Sequence, residues 1–164
     1  MQFEVLHPGL SSYQRAMKDN DRSCVLKISA AGGTVLVTGD IERRSEEALV
    51  SEGAPLGADV LVAPHQGSNT SSTRAFVDAV RPQSVIFPVG YRNRFGHPHA
   101  AVVERYRQLG STLYRTDSDG AVLIAIGRDK PIEISRYRAV YRRYWLDAPA
   151  HDASALDAQL GRAW

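Results

Sequence analysis

Two short apolar runs in this chain each stop on a residue able to hold a metal ion, and one helical segment joins them. They are Thr34-Val-Leu-Val-Thr-Gly-Asp40 and Asp59-Val-Leu-Val-Ala-Pro-His65-Gln-Gly-Ser68. In an α/β sheet the chemistry gathers at the carboxyl ends of the strands, where loops are free to carry function. Asp40 and His65 are therefore expected side by side on one rim. The segment Asn93-Arg-Phe-Gly-His97-Pro98 follows the next apolar run and brings a third loop to the same place.

The surrounding pattern completes this frame. Phe3 to Leu6 predicts a short strand, followed by a polar stretch over 9–22 that reads as a loop or short irregular helix. Cys24–Ser29 and Thr34–Thr38, separated by Ala-Ala-Gly-Gly, predict a hairpin. Helices are expected over Arg43–Glu52, from a cap at Ser71 or Ser72 to Val80, and from Pro98 to Leu109 with Gly110 as the stop. Asp59–Ala63 and Ser84–Val89 read as buried strands. Thr112–Arg115, Ala121–Ile126 and Ile132–Ser135 read as an antiparallel set. The expected fold class is α/β, a mixed β-sheet with helices on one face. Such a layer leaves its other face bare and apolar, so the chain reads as half of a larger sandwich.

With 164 residues, 43% of them hydrophobic and 23% charged, one globular domain is expected, occupying 1–147, with a weakly structured tail over 148–164. No apolar run approaches bilayer length and no signal peptide follows Met1. The single cysteine, Cys24, excludes an internal disulfide and reads as a small buried hydrophobe. A net charge of +2 does not by itself imply a polyanionic partner.

Alone, Asp40 reads as an N-cap for the helix beginning near Glu42, and His65 as a hydrogen-bonded structural residue. Together, a carboxylate and an imidazole on adjacent strand ends suit Zn, Mn or Fe. The run Gly67-Ser-Asn-Thr-Ser-Ser-Thr73 is either a phosphate-accepting helix start, with Ser68 in it, or a plain capping loop. His97 is the better site candidate of its loop, and His99 reads as surface. Asn93, Arg92 and Arg94 either hold an anionic substrate or lie in a solvated loop. The stretch from Arg136 to Trp145 interleaves cations with aromatics, which suits nucleic acid or the packing of a terminal element by its aromatic face.

In order, Val-Thr-Gly-Asp40-Ile-Glu, Val-Ala-Pro-His65-Gln-Gly-Ser-Asn-Thr-Ser, Pro-Val-Gly-Tyr-Arg-Asn93-Arg-Phe-Gly-His97-Pro98 and Tyr-Arg-Thr116-Asp117-Ser-Asp-Gly120-Ala resemble the C-terminal metallo-β-lactamase-like domain of the ComEC family, the DNA internalisation-related competence proteins. The resemblance runs from about Val5 to Trp145. It implies half of an αββα sandwich with a two-metal centre of Zn or Mn. Asp40 would be the bridging carboxylate and His65 a ligand, the two acting as catalytic pair, while Ser68, Asn93 and His97 orient phosphate. It also implies a nuclease acting on DNA beside a membrane channel, on the periplasmic side of the bacterial inner membrane.

Two departures qualify that expectation. Gln66 stands where the family's His-His-Gly-Ser motif has its second histidine, and the family's His-x-His-x-Asp-His type motif is absent. The chain thus resembles only the second half of the domain, with too few ligands to hold metal tightly and little or no activity alone. The expected partners are DNA, the remainder of the domain and its channel, and a second copy covering the exposed sheet face. The rival readings are a small-molecule hydrolase of the same superfamily, and a non-catalytic module that binds DNA or a partner protein.

Overall fold

A computed structural model describes residues 1–9, 17–128 and 130–141. Strands β1 (Gln2–His7), β2 (Val25–Ala30), β3 (Gly33–Val37), β4 (Val60–Val62), β5 (Ser84–Phe87) and β6 (Thr112–Arg115) form one six-stranded sheet in chain order. The β1–β2 and β2–β3 pairs are antiparallel, and β3 to β6 run parallel. The parallel steps are crossed by helices α1 (Arg43–Ser51), α2 (Arg74–Val80) and α3 (Ala100–Gln108). A separate antiparallel pair, β7 (Val122–Ala125) and β8 (Glu133–Arg136), follows a single helical turn, α4 (Thr116–Asp119), and leads to another, α5 (Tyr137–Val140).

Strand side chains alternate between faces with period two, and this chain uses both. Leu36, Leu61, Val85 and Phe87 pack with Leu49, Phe76, Val77, Val102 and Tyr106 beneath the helices. Their neighbours Val35, Val60 and Ile86 point the other way, against Val122, Ile124, Ile132 and Ile134 of the hairpin. The mixed α/β class with helices on one face is therefore as expected.

The second face is not left bare, which corrects the sequence reading. The β7–β8 pair lies over it, and the docking is close. A side chain on Gly32 would run into the Gly127 and Lys130 carbonyls, so the β2–β3 turn meets the hairpin backbone to backbone. The cover stops short of the β1 margin. Phe3 pairs with Ile28 and Val5 with Leu26, which puts them on the hairpin side, yet they are 63% and 59% exposed.

Other local readings are corrected as well. Thr112–Arg115 belongs to the main sheet, parallel to β5, because α3 returns the chain over one face as a crossover. Thr73 caps α2, its side chain accepting the Phe76 amide at 3.4 Å, in place of Ser71 or Ser72. Helix α3 starts at Ala100 with His99 as its N-cap, so Pro98 precedes the helix. Asp40 is not a cap either, since that position on α1 is Glu42. Cys24 is exposed just before β2. Tyr137 and Tyr141 are 44% and 57% exposed and lean on each other at 4.7 Å. Residues 142–145 of that stretch and the tail from 148 lie outside the described residues.

Candidate functional site

Asp40 ends the turn after β3, His65 the turn after β4, and His97 the loop after β5, all at the carboxyl rim. The first two loops are joined directly, because the His65 amide donates to the Gly39 carbonyl at 2.9 Å. The second and third meet at Gly67, whose carbonyl accepts the His99 amide at 2.9 Å. A Cβ on Gly67 would lie 2.7 Å from Pro98 and 2.9 Å from the Phe87 ring. That absent atom lets the imidazoles of His65 and His97 stand edge to face, ring centres 5.7 Å apart. His65 and Gln66 adopt left-handed backbone angles (φ 46° and 55°), uncommon away from glycine and concentrated at functional sites.

Charge follows the same arrangement. The Asp40 carboxylate makes no hydrogen bond among the described residues, while its amide donates to Ser23 Oγ at 3.1 Å. His97 has its pKa lowered from 6.5 by burial first, then by His65 and His99, with Asp40 pulling upward. Its Nδ1 is buried without a hydrogen-bond partner. Asp40, His65 and His97 thus share one electrostatic neighbourhood.

Some expected ligands are committed elsewhere. Asn93 uses both ends of its amide on the main chain of His97, donating to its carbonyl at 2.8 Å and accepting from its N–H at 2.9 Å. It shapes the loop that carries the histidine. Ser68 is 7% exposed, with Oγ 3.1 Å from Thr70 Oγ1. The amides at the start of α2 have the anion-accepting geometry read from the sequence, but an internal group fills it. Glu46, fully buried on α1, takes the Ser72 amide at 2.5 Å and the Thr73 amide at 2.7 Å.

The loop 91–95 is more informative. Tyr91 and Phe95 are 63% and 66% exposed, with the Arg92 and Arg94 guanidinium groups over their rings at 5.2 and 5.1 Å. Phe95 stacks on His97 at 5.9 Å. One residue escaped sequence reasoning altogether. Glu42 places Oε1 3.6 Å from His65 Nδ1 and 3.3 Å from Thr70 Oγ1, at the wall of a cavity of about 530 Å³. Only its position two residues after Asp40 hinted at a role.

The donors suit a divalent metal in kind but not in number. Among the described residues, no three His, Cys, Asp or Glu side chains converge closely enough to hold an ion. A structural site needs four ligands and a catalytic one at least three.

No family model matches the chain. It is 43% identical over 148 residues to Competence protein ComA of Neisseria gonorrhoeae, covering 90% of this chain and 21% of that protein. ComE operon protein 3 of Bacillus subtilis matches at 32% over 122 residues (74% and 15%). Recombination protein 2 of Haemophilus influenzae matches at 30% over 145 residues (88% and 18%). The chain spans between 15% and 21% of the length of these curated relatives.

Proposed function

We propose that this chain is part of a ComEC-type DNA-uptake protein, a kinship that its likeness to a competence protein, a ComE operon protein and a recombination protein supports, and that its rim is one half of a nuclease site. The observation that carries the second part is the convergence of Asp40, His65 and His97 from three successive strand ends. In this reading Asp40 and His65 hold metal, Zn or Mn, and act as the catalytic pair. His97 faces the substrate phosphate, and Asn93 and Ser68 support that contact by shaping their loops. When bound, such an ion supplies phosphoryl polarisation and an acidified water. The remaining ligands come from elsewhere in the longer parent, as the metallo-β-lactamase-like resemblance implies. The same remainder covers the strip at Phe3 and Val5, with a second copy of the chain as the alternative cover. The parent carries the membrane channel and sets this domain on the periplasmic side. Among the described residues no helix is long and apolar enough to cross a membrane.

DNA is favoured over a small ester by the 91–95 loop. Exposed rings carrying guanidinium groups beside His97 form a stacking and charge platform that suits a polynucleotide strand. Each base stacked on such a ring is worth about 1–3 kcal/mol. Tyr91→Ala with Phe95→Ala is therefore expected to weaken single-stranded oligonucleotide binding by roughly 10-fold or more, measured by anisotropy in chelator. Unchanged binding turns the reading towards a small-molecule hydrolase. DNA binding that ignores these rings, chelator and Asp40→Ala, but falls steeply with salt, indicates a non-catalytic module.

The purified 164-residue chain is expected to show little or no Mn- or Zn-dependent DNase activity. The parent protein is expected to show it, and Asp40→Ala there to remove more than the roughly 100-fold that outer partners of a metal ligand cost. Robust cleavage by the isolated chain, lost on Asp40→Ala, overturns the half-site. A parent that cleaves no DNA overturns the nuclease.

A further inference from the structure

The geometry points to Glu42 as the residue that positions His65, acting with Thr70 to fix which ring nitrogen carries the proton. This rests on the reading that His65 works at the rim, and it concerns the free chain, with or without metal.

Glu42 occupies the N-cap of α1, where a carboxylate ordinarily turns back onto its own helix. It makes no such bond. Its backbone is held instead, the amide donating to Asp21 Oδ1 at 3.1 Å, and Asp21 is buried and also accepts Ser45 Oγ at 2.8 Å. The carboxylate is therefore aimed from a fixed base. Asn20 Nδ2 donates to Oε1 at 3.2 Å, and Lys18 Nζ lies 3.5 Å from Oε2. The remaining contacts of Oε1 are with Thr70 and His65.

A proton inventory settles the tautomer. An ionised carboxylate only accepts, so Thr70, 3.3 Å away, gives its single O–H to Glu42. Thr70 Oγ1 then has only lone pairs left for His65 Nδ1, which is 3.4 Å away, and Nδ1 must be the nitrogen that carries hydrogen. Glu42 Oε1, 3.6 Å from Nδ1, reinforces the same choice by charge. The nearby Ser68 hydroxyl can donate to Thr70 without disturbing the order. Nε2 is left with its lone pair free, as required of a ring that binds an electrophile through that atom. The left-handed backbone at His65 and Gln66 sets the ring's position, and Glu42 with Thr70 sets its chemistry.

The test is the ¹⁵N shift of each His65 ring nitrogen in the metal-free chain. Wild type is expected to show Nδ1–H. Glu42→Ala is expected to exchange the two nitrogen shifts, moving the ring to the Nε2–H form that free histidine side chains favour. Thr70→Val, nearly the same shape, is expected to move it part of the way, which keeps a readout should Glu42→Ala fold poorly. A residue that merely packed there would leave the tautomer alone. Wild type in the Nε2–H form overturns the inference whatever the variants do, and so does an unmoved ratio in a folded Glu42→Ala. Nδ1–H in a parent protein that binds no metal sinks the metal reading while leaving this inference standing.

Discussion

Gly67→Ala is expected to destabilise the chain by about 2–5 kcal/mol and to part His97 from His65. Two costs combine. Overpacking a filled site costs about 1–3 kcal/mol, and a Cβ in left-handed backbone adds about 1–2 kcal/mol. Gly67 has φ 81°, and the new methyl would meet the Pro98 and Phe87 rings at 2.7 and 2.9 Å. Neither neighbour can swing clear, since Phe87 is fully buried and Pro98 is a closed ring. The relief open to the chain is to move the loop that carries His97. Thermal unfolding should show a drop of roughly 4–20 °C, and nuclear Overhauser contacts between the two imidazoles should vanish. Unchanged melting with those contacts intact would mean that the loops do not meet at this glycine.

Glu46→Ala should cost about 3–5 kcal/mol, the range for removing one partner of a buried charged cluster. The Ser72 and Thr73 amides lose their acceptor, and buried unpaired donors cost about 1–3 kcal/mol each. Arg105, whose Nη1 donates to the Ser72 carbonyl at 2.8 Å, loses the charge it faces. Tyr106, bonded to Ser72 Oγ at 3.0 Å, would lose part of its anchorage in turn.

The pH dependence of Glu46 has a definite sign. Burial raises its carboxyl above the ordinary 4.5, against the opposing pull of the Thr73 and Ser72 groups and Arg105. A raised folded pKa means that the folded chain holds a proton which the unfolded chain has released. Its contribution is complete below pH 4.5 and is lost as pH climbs through the folded value. Glu46→Gln cannot titrate. The stability of wild type relative to Glu46→Gln should therefore fall across that window in urea titrations, and a difference that stays flat or grows would contradict it.

How much of this could be read beforehand depends on range. Asp40 and His65 were legible because apolar runs of strand length end on them, and the rim rule for α/β sheets supplies the rest. The anion-accepting start of α2 was legible too, but not its occupant. Glu46 lies 26 residues before Ser72, and nothing local distinguishes it from a solvated helical glutamate. The same holds for Glu42 and Thr70, 28 residues apart. Asn93 and Ser68 show the limit of residue type as a guide, because a polar side chain at a rim serves its own loop as readily as a ligand. The parallel placement of β6 was missed because four residues with a turn after them carry no sign of their partner. The α3 crossover decided it.

The uneven cover of the large sheet has a practical meaning for anyone handling the isolated polypeptide. Its first strand combines oily side chains on one surface with a margin whose hydrogen-bonding groups face outward. Such a border invites lateral stacking of molecules into longer ribbons, so dilution and mild detergent should keep preparations clear where crowding clouds them.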